Sequence, residues 1–151
     1  FFLFQRLDQL SELSQRDLFS QNNICDFMLE KDPIFASLTL NDDERLLYQK
    51  IFENQKTNIP SPDLIIYLQA PPSKLFDRIK KRGIRIEQEI SYEYLEKLCS
   101  AYNRFFYQYD NSPILTINTI SFDPIHDEND FESLLNQIRS FRGKRNFFSV
   151  L

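Results

Sequence analysis

The sequence predicts an α/β fold in which helices cover both faces of a parallel sheet. Two observations carry most of that reading. Residues 64–68 and 113–117 are short, continuous apolar runs bounded by prolines and polar residues, the length of strands rather than helices. The stretches between them repeat their apolar residues at helical spacing. The expected order is helix, strand, helix, strand, helix, helix, strand, helix, and strands separated by helices pair in parallel. A length of 151 residues suits one domain over 1–151 with one core. With 42% hydrophobic residues, fifteen Phe and seven Tyr, the composition excludes a disordered chain.

Each element has its own signal. Leu3, Leu7, Leu10 and Leu13, with Phe4 and Leu18, form a helical stripe over residues 1 to 19. Asn22-Asn23 breaks it, and the apolar run 24–29 is expected to be a buried strand. Asn41-Asp42-Asp43-Glu44 has the form of a capping box. The helix it starts runs through Leu46, Leu47, Ile51 and Phe52 and stops before Pro60. Residues 64–68 then read as a strand covered on both faces.

Pro71-Pro72 opens the next helix, which carries Leu75, Phe76 and Ile79 and ends at Gly83 as its C-cap. The polar stretch to Glu89 has no period. Ser91 caps a long helix reaching Tyr109, with Leu95, Leu98, Tyr102 and Phe105 along one side. Its aromatic cluster, Tyr102, Phe105, Phe106, Tyr107 and Tyr109, reads as packing rather than a base-stacking platform. Residues 113–117 are the third strand, and a loop through His126 leads to a helix with Phe131, Leu134, Leu135 and Ile138. The basic tail Arg139 to Arg145 reads as its solvated end.

Several classes are excluded. A net charge of −4 gives no general attraction to nucleic acid or anionic membrane. Cys25, Cys99 and His126 do not form a metal-ligand spacing, and the two thiols are expected to be buried or half-buried. No apolar run approaches the roughly 20 residues that cross a bilayer, and no signal peptide is evident, so a cytoplasmic protein is expected. Three strands are few for a sheet of this class. Gly83 and Gly143 are the only glycines, and no GxxxxGK[ST] loop is present. The sequence thus reads as a part that begins inside a domain.

The chemistry concentrates in residues 77–88. Arg78 and Arg82 are four apart and share a helix face, Arg85 follows the glycine, and Lys74, Lys80 and Lys81 add charge. Converging guanidinium groups suit a polyphosphate, because each fork binds two oxygens and phosphoryl transfer is mostly positioning and charge stabilisation. A cationic helix end stabilised by the helix dipole accounts for the same residues, and periodicity alone does not choose between them.

Three runs decide the matter. They are Pro62-Asp63-Leu64-Ile65-Ile66-Tyr67-Leu68-Gln69-Ala70-Pro71-Pro72, then Arg78-Ile79-Lys80-Lys81-Arg82-Gly83, then Glu87-Gln88-Glu89-Ile90-Ser91-Tyr92-Glu93-Tyr94-Leu95-Glu96-Lys97-Leu98. Together they resemble the deoxynucleoside kinase family, in particular its bacterial deoxyadenosine/deoxyguanosine kinases. Lys31-Asp32-Pro33-Ile34-Phe35-Ala36 and Phe2-Leu3-Phe4-Gln5-Arg6 extend the resemblance over nearly the whole chain. It implies a three-layer, P-loop kinase-like fold whose first strands and Walker loop are absent from this sequence. It implies phosphorylation of the 5′-hydroxyl of a purine deoxynucleoside, in nucleotide salvage, with ATP and Mg²⁺, by a homodimer.

The resemblance also assigns residues. Arg78, Arg82 and Arg85 fall in the lid, about residues 78–90, that closes over ATP and the reacting phosphates. Glu87 matches the glutamate that accepts from the sugar 3′-hydroxyl, and Arg6 an arginine of the base pocket. Asp26 matches the acidic residue of a D/E-R-S motif, and Asp32 lies near a base-contacting aspartate, with Lys31 as its rival. Asp123 lies in the loop flanking the ATP adenine. The chain departs from the pattern where Phe27 and Met28 follow Asp26 in place of Arg and Ser. The lid reads Arg-Gly-Ile-Arg rather than Arg-Gly-Arg, which displaces Arg85 by one position. The family's Walker loop, general-base carboxylate and base-reading glutamine precede the counterpart of Phe1, so the 151 residues by themselves are expected to lack kinase activity. Two alternatives stay open, a thymidylate-kinase-like nucleoside monophosphate kinase and a non-catalytic binding or dimerisation module. The kinase reading expects Arg78, Arg82, Arg85 and Glu87 around one nucleotide-sized cavity.

Overall fold

The computed structural model describes residues 3–5, 7, 8, 23–26, 28–55 and 61–150. It divides into two compact units, Phe1–Pro60 with Ala101–Phe105, and Ser61–Ser100 with Phe106–Leu151.

In the first unit residues 3–5, 7 and 8 are helical, as the leucine stripe predicts. A 3-10 turn, Leu29–Lys31, runs into α1 (Asp32–Thr39), where Pro33 occupies the first turn and its missing N–H costs nothing. The capping box forms ahead of α2 (Asp42–Gln55): the Glu44 N–H donates to Asn41 Oδ1 and the Asn41 N–H to Glu44 Oε2, each at 3.0 Å. Leu3, Leu29 and Phe52 make this unit's core, with Leu7, Tyr48 and Ile51 against it.

The strand expected over 24–29 does not form. Residues 23–25 have no regular structure, Ile24 is 99% exposed, and Leu29 is buried from within the 3-10 turn. An apolar run becomes a buried strand only where a neighbouring strand takes up its backbone groups, and the described sheet offers none here. Cys25 is exposed, against expectation, because that segment leaves the core. Cys99 is half-buried, and burial pushes its thiol pKa up.

The second unit holds the sheet. β1 (Ile65–Gln69), β2 (Ile114–Asn118) and β3 (Arg145–Phe148) are all parallel in the order β1-β2-β3. Between β1 and β2 come α3 (Pro72–Arg82), a 3-10 turn (Arg85–Glu89) and α4 (Tyr92–Gln108), and α5 (Glu128–Ser140) precedes β3. On one face of the sheet Leu134 and Ile138 of α5 pack over Leu115, Ile117 and Phe122. On the other Phe106, near the end of α4, stacks on Tyr67 with ring centres 4.3 Å apart. The layers are helix, sheet, helix. Burying Leu115 and Ile117 completely contributes roughly 1.5–3 kcal/mol each.

Two expectations about the sheet need correction. Leu68 is 56% exposed and Ile66 is exposed too, so the β1 strand is not covered on both faces. In the described sheet β1 is an edge, and only the central β2 receives full cover. The tail to Arg145 is not a helix end. α5 stops at Ser140, Gly143 turns the chain at φ +87°, and Arg145 starts β3. Arg145 donates to the carbonyl oxygens of Phe106 (2.8 Å) and Tyr109, which ties the edge strand to the end of α4. Of the three expected strands two form, and the third strand among the described residues is 145–148 rather than 24–29.

Candidate active site

Parallel α/β sheets bind ligands outside the C-terminal ends of their strands. Here those ends are Gln69 and Asn118, register partners in β1 and β2. Thr119 follows directly and is 5% exposed. Its N–H and its hydroxyl both donate to the Gln69 carbonyl oxygen, at 2.8 and 3.0 Å. Arg78 reaches Thr119 from α3: Nη1 donates to Oγ1 at 3.0 Å and Nη2 to the carbonyl oxygen at 2.6 Å. Both acceptors are neutral, and among the described residues Arg78 makes no ion pair.

One turn further along α3 the arrangement changes. Arg82 donates to Glu87 Oε2 at 2.5 Å, an ion pair on the surface. Its geometry follows from the chain reversal at Gly83, which caps α3 at φ +70° with its N–H on the Ile79 carbonyl oxygen, 3.2 Å away. That left-handed conformation is one glycine adopts without a Cβ penalty. The Gln88 side chain donates to the same Ile79 carbonyl at 3.2 Å, folding the Arg85–Glu89 turn back along the helix.

Leu75, Arg78, Ile79, Arg82 and Leu95 line a cavity of about 290 Å³. Two turns of one helix face therefore bring Arg78 and Arg82 to one concavity, as the four-residue spacing predicts. The volume is just below the roughly 300–1,000 Å³ typical of ligand sites. It fits part of a nucleotide rather than the whole. Glu87 touches Arg82 but does not itself line the cavity. Arg85 is exposed and is not among the lining residues either, so of the four residues expected around one nucleotide-sized cavity two line it. Lys80 lies 4.2 Å from the Phe76 ring centre, which places its charge away from the arginine pair.

The remaining candidates lie elsewhere. Asp123 is exposed in the loop after β2 and accepts from His126 Nδ1 at 2.9 Å, and this bond with His126 holds its carboxyl below the usual carboxylate range. It does not line the cavity. In the first unit Asp32 is buried and accepts from the Tyr48 hydroxyl at 2.8 Å. Asp26 is exposed in a bend. Arg6 lies outside the described residues. Thr119 is the residue sequence reasoning missed. Its signal was its place at the end of a parallel strand, but nothing local announces a partner 41 residues away.

An α/β sheet carrying paired arginines on a helix beside the C-terminal ends of its strands, with a carboxylate turn next to them, has the layout of a phosphotransferase. The chain belongs to the deoxynucleoside kinase family, whose model, described as "Deoxynucleoside kinase", matches residues 1–142. Deoxyguanosine kinase of Bacillus subtilis (strain 168) is 35% identical over 144 residues, covering 92% of this chain and 70% of that protein. Deoxyadenosine kinase of Dictyostelium discoideum is 33% identical over 112 residues, covering 70% of this chain but 46% of that protein. Among solved structures, deoxyadenosine kinase from M. mycoides with bound dATP matches with a TM-score of 0.74 at 26% identity, over 91% of this chain and 72% of that one. The fold is therefore P-loop kinase-like. No helix among the described residues is long and apolar enough to cross a membrane.

Proposed function

We propose that this chain supplies the lid and acceptor-side residues for ATP-dependent phosphorylation of the 5′-hydroxyl of a purine deoxynucleoside, a salvage reaction. One observation carries the reading: Arg78 and Arg82 line one cavity with Glu87 held beside them, in a chain of the deoxynucleoside kinase family. The relatives named above act on deoxyguanosine or deoxyadenosine by their names, which supports a purine acceptor.

In this reading the 5′-oxygen attacks the γ-phosphorus in line. A P–O bond forms to the sugar as the bond to the β–γ bridging oxygen breaks, and ADP leaves. Arg78, Arg82 and Arg85 stabilise the charge that spreads over the equatorial oxygens. Glu87 accepts from the 3′-hydroxyl, and Arg6, Asp26 and Asp32 keep the deoxynucleoside-binding roles that the family resemblance implies for them. Asp123 flanks the adenine of ATP. Glu87 and Arg82 neutralise each other, so each is released when substrates supply a hydroxyl to one and a phosphate to the other. The proton acceptor is not assigned to any residue of this sequence. No group of three His, Cys, Asp or Glu residues among the described ones is placed to hold a metal, so none is assigned to Mg²⁺. Phosphoryl transfer also needs a phosphate loop, and the sequence has no GxxxxGK[ST]. The 151 residues by themselves are accordingly inactive in this account, and a second copy of the chain is the expected partner.

The test is a transfer assay with γ-labelled ATP and deoxyadenosine, deoxyguanosine or their monophosphates, on the 151 residues alone and on a chain carrying a Walker loop ahead of them. Label on the deoxynucleosides with the longer chain only is expected. Label on monophosphates alone, or transfer by the 151 residues, contradicts the reading.

A further inference from the structure

We infer that Thr119 is a positioning residue for the phosphate site, acting through Arg78. The inference rests on the phosphate-binding reading above and deepens it. Three observations support it. Thr119 is buried at the end of β2, and its side chain is fixed because the hydroxyl proton is committed to the Gln69 carbonyl oxygen. The hydroxyl's lone pairs are thereby turned toward Arg78, which donates to that oxygen and to the Thr119 carbonyl at once. A guanidinium has five N–H donors in a fixed plane, so two are used for orientation and three are left.

The chemistry of the acceptors matters as much as the geometry. A carboxylate in this place would orient Arg78 but cancel its charge. A hydroxyl and a carbonyl orient it and leave the charge intact for an anion. Arg78, which lines the cavity, is thus oriented with no counterion among the described residues, and the same two bonds hold α3 against the C-terminal ends of β1 and β2. Arg82, one turn along the same face, is presented to the same cavity because the helix is fixed there. Thr119 itself lines no part of the cavity, so it acts by placing Arg78.

The experiment uses the 151-residue chain, with pyrophosphate as the probe and arginine side-chain ¹⁵N spectra as the readout. In the unsubstituted protein the Arg78 Nη protons should be resolved, because its guanidinium rotation is restrained, and pyrophosphate should shift Arg78 and Arg82. Thr119→Val keeps the buried volume and removes the acceptor. It should merge the Arg78 Nη signals and weaken pyrophosphate about tenfold to a hundredfold, the size expected for losing a hydrogen bond to a charged group. Thr119→Ser should restore both. Arg78→Lys keeps the charge without the fork, and in that background Thr119→Val should cost no further affinity. Equal pyrophosphate affinity in Thr119→Val and unsubstituted protein overturns this inference alone, as does an additive loss in the double variant. No shift at any lid arginine of the unsubstituted protein overturns the phosphate reading itself. If Thr119→Val does not fold, Arg78→Lys and Thr119→Ser decide: pyrophosphate affinity retained by Arg78→Lys, or lost in Thr119→Ser, overturns the inference.

Discussion

The helix α3 holds its two arginines in opposite ways. At the sheet side Arg78 is held by a buried, neutral threonine at 3.0 and 2.6 Å. At the tip Arg82 is held by an exposed carboxylate at 2.5 Å. The first arrangement is built into the strand ends and leaves the charge uncompensated among the described residues. The second is a surface ion pair of the kind that contributes about 0–1 kcal/mol, so exchanging Glu87 for a phosphate costs little. A site that must be accurate at one end and open at the other needs both. In the proposed reading, rigid fixation of Arg82 would keep Glu87 from a sugar hydroxyl, and a loose Arg78 would let the whole helix drift.

Substitutions can break or sharpen this contrast. The largest effect belongs to the base of the fixed end. Leu115 has no exposed surface and packs beneath α5, so Leu115→Ala should lower stability by about 3 kcal/mol in urea unfolding. A loss below about 1 kcal/mol would mean that the strand ends are no rigid platform. At the tip, Glu87→Gln removes the counterion but not the shape. Stability should change by less than about 0.5 kcal/mol, while pyrophosphate binding at Arg82 tightens about threefold because it no longer displaces a carboxylate. Weaker pyrophosphate binding in this variant would show that the ion pair preorganises Arg82 instead of masking it.

The smallest effect comes from the Asp123–His126 contact, which resembles the tip in being exposed. His126 lowers the Asp123 pKa below its ordinary 3.8. As pH falls the unfolded chain therefore takes up the proton first. The contribution of the contact is whole above 3.8 and is lost as pH drops through the lower folded value. Unfolding midpoints of His126→Ala and unsubstituted protein should converge as pH is lowered from about 5 to 3. A gap that widens instead would contradict the assignment.

How much of this was legible beforehand follows the same division between local and non-local causes. The capping box at Asn41, the Gly83 cap, the strands β1 and β2 and the shared face of Arg78 and Arg82 all come from chemistry within a few residues, and all appear in the structure. The failures have distant causes. Residues 24–29 are apolar enough for a strand, but strand formation depends on a neighbour the run cannot specify. β3 is four residues long and mostly exposed, and its anchor, Arg145, depends on carbonyls near the end of α4. α1 has only eight residues, too few for its period to stand out. Thr119 meets Arg78 only because a parallel crossover brings β2 beside β1.

The central claim is that Arg82 exchanges Glu87 for phosphate. Arg45 provides an internal control, since it too forms an exposed pair, with Asp42 at 2.9 Å, on a helix with no part in the proposed site. The direct measurement is a dATP titration of the 151-residue chain followed by the Arg Nε resonances. The account predicts that Arg78 and Arg82 shift together and saturate while Arg45 stays in place. Equal shifts at Arg45 and Arg82, or no shift at either lid arginine, would contradict it.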